Sequence, residues 1–358
     1  MFQWQRFHFI DELERYGCHF EMFNPLIYDN LDEANEKLIE RIKEKHYDLF
    51  FTNLCNEKHL YVDTLKEIKK LGIPSVSFRS DNLIIPFNDK SLAPYFDIVW
   101  ITSEETTPLY EKWGGSVYFA PYAANPFIYK QTGGSMVRKA CFIGSPYGSR
   151  SIAINTISSA QVSIDLFCGK NEESANEHNN GVFAKYTLTQ LTGKEIFKGR
   201  LSYPEGRKLL VGAVLNRLFG QINIENNEYA TIKPSLSFED MIRTYSSYAL
   251  SLAYTSSEQT DVMRSPLKII DLRNFEIPMC GGLEICRYNK ELASYYEEGK
   301  EIVFYHTKEE LQDKVKYYTE KAAETEIQGM KMAARKRAAQ EHTWMVRFSG
   351  LFDKLSLK

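Results

Sequence analysis

The sequence has no paired-cysteine motif. Its six cysteines (Cys18, Cys55, Cys141, Cys168, Cys280, Cys286) are scattered, form no CxxC pair and lie mostly within apolar runs. That argues against a disulfide framework or a zinc site, and for free buried thiols in a reducing compartment. Also missing is any apolar run near the ~20 residues that a membrane span needs. The opening residues, MFQWQRFHFIDELERYG, lack the uninterrupted apolar region of a signal peptide. Together these absences predict a cytoplasmic protein. Net charge is small, −3 at pH 7, so the whole chain has no electrostatic drive toward nucleic acid and no such partner is expected. There is no Asp-x-Asp pair and no cluster of His with carboxylates, so no metal is expected.

What remains is ordinary globular text, and there is enough of it for two cores. At 358 residues the chain exceeds the size at which single cores stop growing. Short, near-continuous apolar runs recur: HFEMF, YDLFFTNL, IPSVSF, FDIVWIT, SVYFAPYA, ACFIGS, VSIDLFCG, QINIE, YALSLAYT, LEICRY and EIVFYH. Strands covered on both faces read this way. Between them stand helical patterns such as EANEKLIERIKEKH, DTLKEIKKLG, SRSIAINTISSA and SFEDMIRTYSSY. The alternation occurs twice over and predicts an α/β protein with two parallel sheets.

The loop from Asn125 to Lys139, with Pro126 and the Gly133-Gly134 pair, reads as a hinge. This gives an N-terminal domain over 1–130 and a second over 131–335. The polar stretch around 170–220 is expected to be an irregular insertion in the second domain. A terminal helix is expected over 336–358; the basic text before and into it, MKMAARKRAAQEHTW, is either a solvated face or a contact for an anionic membrane surface. The first domain poses a difficulty: only MFQW is left for an opening central strand, so that strand is very short or the natural start lies upstream.

Two stretches carry candidate chemistry. ACFIGSPYGSRS is a strand, a Gly/Ser loop and a helix start, so Gly144, Ser145 and Arg150 form a candidate anion site; simple turn punctuation is the alternative. In SPLKIIDLRNFEIPMCGG, Ser265 and Pro266 suit a helix start, with Leu267, Ile270, Asp271 and Asn274 at helical spacing and Gly281-Gly282 as terminator. Lys268, Arg273 and Glu276 are thereby gathered on one helix. A carboxylate accepts from two vicinal hydroxyls, as on a ribose, and the cations suit a diphosphate. A Glu–Arg pair that merely holds two elements together fits the same residues.

Ordered blocks from Ala140 to Phe348 resemble bacterial glycosyltransferases of the spore-maturation-protein type, a GT-B group 1 lineage. They are Phe142-Ile-Gly144-Ser145 with Arg150, Arg273-Asn-Phe275-Glu276 with Gly281, and Asn289-Lys-Glu291-Leu292 with Tyr296-Glu-Glu-Gly299-Lys-Glu301. Glu309-Glu310-Leu311 and His342-Thr343 with Arg347 follow. FRSDN and DIVWITSEE extend the likeness to the first domain.

The resemblance implies two Rossmann-like domains facing across a cleft and a terminal helix crossing back to the first. It also implies metal-independent transfer of a sugar from a nucleoside-diphosphate donor to a glycan, lipid-linked or protein acceptor. Such an enzyme needs no cofactor and would work in the cytoplasm, in contact with the inner membrane or free of it. Glu276 matches the glutamate that holds the donor ribose, Arg150 and Arg273 fall near the diphosphate, and the Gly281-Gly282 amides fall at the donor. Lys268 stands where the broader group carries a second, sugar-contacting glutamate, and is a candidate for phosphate instead. Asp81 is a candidate base or acceptor-orienting residue, or else a turn residue. A GT-B-like nucleotide-sugar epimerase and a non-catalytic assembly protein on the same scaffold are the rival readings.

Overall fold

The computed structural model describes residues 2–146, 150–169, 191–218, 224 and 227–357. By internal contacts the chain forms two compact units, each holding one parallel sheet. The first sheet lies in the unit made of His19–Pro121, Gly181–Leu210 and Arg347–Lys358. Its four strands, β1 (Phe50–Thr52), β2 (Ser75–Arg79), β3 (Ile98–Ile101) and β4 (Val117–Phe119), follow one another in simple order. Every residue of β2 and β3 is buried, as expected of strands covered on both faces. Helices Leu31–Glu44 and Val62–Lys70 turn Leu38, Ile42, Leu65 and Ile68 into that core. Trp100 is wholly buried and its indole N–H donates to the Ala120 carbonyl at 2.9 Å, so burying the ring strands no polar group.

The second sheet belongs to the unit made of Met1–Cys18, Tyr122–Asn180 and Val211–Val346. Its strands are β5 (Val137–Ile143), β6 (Ile164–Gly169), β7 (Ala230–Pro234), β8 (Tyr248–Leu252), β9 (Glu284–Arg287) and β10 (Val303–Tyr305). They stand in the order β10-β9-β8-β5-β6-β7, all parallel. This is the doubly wound dinucleotide-fold order, and it reverses between β5 and β8. Ligands of such sheets bind beyond the strand C-termini at that switch.

Several expectations change. From Phe2 on, MFQW is helix and not strand: residues 2–15 form one helical run with a π-helical middle at Arg6–Ile10, and they cluster with the second sheet. Phe9, Ile10 and Leu13 are buried there, with Phe9 5.7 Å from Trp344. HFEMF forms no strand. QINIE falls mostly outside the described residues, and the third strand of that half is instead Ala230–Pro234. Within the stretch read as an irregular insertion, Gly193–Leu201 and Pro204–Leu218 are helices. The first is opened by a capping box in which Thr192 Oγ1 accepts from the Glu195 amide and Glu195 accepts from the Thr192 amide. The earlier part of that stretch, KNEESANEHNNG, lies outside the described residues.

The last helix, Trp344–Leu355, starts in one unit and ends in the other. Its start is capped by Glu12, which accepts from the Met345 amide at 2.7 Å and the Trp344 amide at 3.3 Å. Residues 347–358 pack with the first sheet: Tyr118 donates to the Arg347 carbonyl at 2.7 Å, and Phe348 lies 5.0 Å from Trp100.

Candidate functional site

The switch between β5 and β8 is where the charged groups gather. β5 runs into Gly144, whose φ of 134° suits glycine, and Ser145; the helix Arg150–Ser159 then leads away. Arg150 donates to the Ser145 carbonyl at 3.1 Å and its guanidinium lies 5.2 Å over the Tyr254 ring, just past the end of β8. The Tyr254 hydroxyl returns a bond to the Arg150 carbonyl at 2.6 Å. These two bonds and the ring contact fix Arg150 to both strands that flank the switch.

The helix expected from Ser265 does not form there. Residues 255–269 fold back on themselves: Ser257 N–H donates to the Leu267 carbonyl, Ile269 N–H to the Thr255 carbonyl, and Lys268 bridges Ser256. The helix is only Arg273–Met279. Asp271 opens it by accepting from the Arg273 amide at 2.8 Å, while Asn274 accepts from the Asp271 amide and donates to Glu284 of β9 at 2.6 Å. Burial raises the Asp271 carboxyl above its ordinary range, and the charge of Arg150 pulls it back. The capping aspartate thus ties the Arg150 side of the switch to the helix that carries Glu276.

Glu276 is buried, 4% exposed. One carboxylate oxygen accepts from the Tyr129 hydroxyl at 2.5 Å; the other lies 3.1 Å from the Arg273 guanidinium and makes no hydrogen bond. Arg273 also reaches the Tyr245 hydroxyl at 3.1 Å and keeps a third of its side chain exposed. His8 completes the wall; burial pushes it down to about 4, against the opposing pull of Glu276. The Glu276–Arg273 pair lies within one turn of a single helix and joins no two elements, and it stands beside a buried carboxylate oxygen with no hydrogen bond.

Other expected site residues sit elsewhere. Gly281 and Gly282 do not offer their amides: these donate to the Pro278 and Ile277 carbonyls at 2.9 Å each and close the helix C-terminus. Gly281 has φ 71°, and a Cβ on Gly282 would lie 2.9 Å from the Tyr245 carbonyl, so the pair serves a turn and close packing. Lys268 is not on the Glu276 helix; its ammonium donates to the Tyr288 carbonyl at 2.8 Å. Asp81, in the other unit, is exposed in a left-handed turn after β2, with φ 54°.

The buried part of FRSDN is bracing. Asn82 accepts from the Thr102 and Ser103 amides, and Arg79 pairs with Asp89 at 2.8 Å. His342 packs among Phe275, Tyr295 and Tyr296. Sequence reasoning missed Tyr254, Asp271 as a cap, Tyr129 and His8. Only Asp271 had a local signal, an Asp two residues before a helix start; Tyr129 and His8 meet Glu276 from far along the chain.

Residues 205–353 match a family model described as glycosyl transferase-like. Among solved structures, the chain is similar to Alr3699/HepE of Anabaena in complex with UDP and glucose, at 12% identity, TM-score 0.53, over 96% of this chain and 88% of that one. It is also similar to the sucrose-phosphate synthase of Thermosynechococcus elongatus, at 13% identity, TM-score 0.51, over 93% and 82%. A third is an alpha-glucosyltransferase in complex with UDP-glucose and DNA containing an abasic site, at 11% identity, TM-score 0.53, over 91% and 84%. No curated protein matches the sequence. With its two parallel sheets the chain has the GT-B fold, and its residues 205–353 are similar to the glycosyl transferase-like family.

Proposed function

We propose that the protein transfers a sugar from a nucleoside-diphosphate donor to a glycan, lipid-linked or protein acceptor, with the donor held at the switch of the second sheet. The carrying observation is Arg150, anchored across β5 and β8 on the same edge as the Asp271–Arg273–Glu276 helix. Solved relatives of the same fold were captured with UDP and with UDP-glucose, which supports a nucleotide-sugar donor. The finer likeness to the spore-maturation-protein type rests on the ordered motif blocks.

In this reading a departing diphosphate gains negative charge in the transition state, and Arg150 and Arg273 meet it with fixed cations. Glu276 offers its unbonded oxygen to ribose hydroxyls, at the expense of its contact with Arg273. No metal takes part, and no cofactor beyond the donor is needed. Lys268 in place of a sugar-contacting carboxylate leaves retention of anomeric configuration resting on the scaffold alone. Asp81, exposed in its turn after β2, stays a proposal for the acceptor side. Among the described residues no helix is long and apolar enough to cross a membrane, so any contact with the inner membrane would be peripheral.

Thermal stabilisation against a panel of nucleoside diphosphates and nucleotide sugars tests this. A binding partner raises the melting temperature by mass action, and calorimetry then gives its affinity. If none of the panel binds, the glycosyltransferase reading fails.

A further inference from the structure

Lys268, outside the Arg150–Glu276 cluster, faces a recess of its own on the same sheet edge. The recess holds about 240 Å³ and is lined by Arg264, Ser265, Lys268, Arg287, Tyr288 and His306, among others. Arg287 ends β9, Tyr288 follows it, His306 follows β10, and Arg264 and Lys268 lie on the loop after β8. All therefore stand beyond the C-termini of parallel strands, where α/β sheets take ligands.

Two arginines, a lysine and an imidazole converge here. Arg287 already has one opposing charge, Asp261 at 3.5 Å, and Glu310 accepts from the His306 backbone amide. Lys268 gives one of its three donors to the Tyr288 carbonyl. Burial, and then the charge of Arg287, lower its affinity for a proton. His306 stacks on Tyr288 at 4.8 Å, making a flat wall. Like charges held this close cost free energy until an anion enters between them. A neutral sugar offers hydroxyls, which a carboxylate holds well by accepting from them. Arginine and lysine instead match a carboxylate or phosphate, whose oxygens accept from their N–H groups.

We propose that this recess binds the carboxylate or phosphate of an acidic donor sugar, so that the donor is a nucleotide-activated acidic sugar rather than a neutral hexose. This rests on the glycosyltransferase reading above.

Calorimetry on the full chain tests it in two stages. UDP, GDP, CDP, ADP and dTDP are titrated first to fix the base. The hexose and hexuronate diphosphates of that base, and the hexose carrying a 6-phosphate, are then compared. At least one acidic sugar binds about tenfold tighter or more than the neutral one, the scale of one charge-assisted hydrogen bond. The variants Arg264→Gln and Lys268→Gln lose that preference and keep the affinity for the nucleoside diphosphate. Arg264 is exposed, so its variant keeps the parent melting temperature and isolates binding from folding. Equal binding of neutral and acidic sugars overturns the proposal while the donor site stands. Equal losses for sugar and nucleoside diphosphate overturn it too, and give the recess to the diphosphate. If no nucleoside diphosphate binds, the glycosyltransferase reading falls and takes this proposal with it.

Discussion

The same three side-chain types meet in both units. In the first, Asp89 takes a bond from Tyr110 and an ion pair from Arg79; in the second, Glu276 takes a bond from Tyr129 and an ion pair from Arg273. Each carboxylate has one oxygen with no hydrogen bond. The difference lies in the arginine. Arg79 is 10% exposed and turns inward to the Asn53 carbonyl at 2.7 Å, bracing the end of β1. Arg273 is 35% exposed, on the unit whose sheet reverses its order. A tyrosine, a carboxylate and an arginine therefore do not make a site by their chemistry alone. The opening of the cation to the surface and the topology beside it decide.

The largest test breaks the closed trio. Arg79→Met leaves Asp89 buried without its cation, and such losses run to about 3–5 kcal/mol. Urea denaturation should show a midpoint shift of that order, with unchanged nucleotide affinity in the fraction that stays folded. Next, Glu276→Ala should weaken nucleoside-diphosphate binding by about tenfold, from loss of charged hydrogen bonds worth ~1.5–3 kcal/mol offset in part by release of Arg273. Stability lost with full affinity kept would make the second trio a brace like the first.

The smallest effect concerns the helix cap. Burial pushes the Glu12 carboxyl up to about 7, from an ordinary 4.5. The folded state therefore favours the protonated form; the stability this gives is full below pH 4.5 and is lost as pH rises through 7. Glu12→Gln keeps an acceptor for the capped amides and removes the ionisation. Its melting temperature should match the parent near pH 4.5 and exceed it by a few degrees at pH 8; the opposite order would mean that the charge stabilises the cap.

The sequence shows the sheets more plainly than the site. Strands such as IVWI and YALSL are buried along their whole length, and an unbroken apolar run with a turn at each end is a local signal. The helix Gly193–Leu201 had a local signal in Thr192 and Glu195, but the stretch reads as irregular because polar text around it hides the pattern. Lys268 was misplaced for a physical reason. SPLKIIDL has helical spacing, but its backbone amides and carbonyls find partners in Thr255 and Ser257, which local periodicity does not register. Tyr129 and His8 come to Glu276 through tertiary packing, so no nearby spacing announces them. Of the motif-block residues, Arg150 stands beside the β5–β8 switch, Glu276 lies on the helix that follows it, and the amides of the glycine pair close that helix.

The cap on the last helix has a consequence for synthesis. Glu12 precedes the amides it holds, at Trp344 and Met345, by more than three hundred positions. The unit carrying the first sheet likewise waits for residues 347–358. Both units are therefore expected to finish folding only after residues 344–358 have been made. The helix over residues 2–15 buries Phe9, Ile10 and Leu13, and Phe9 meets Trp344 at 5.7 Å, so part of that apolar surface waits for the last helix.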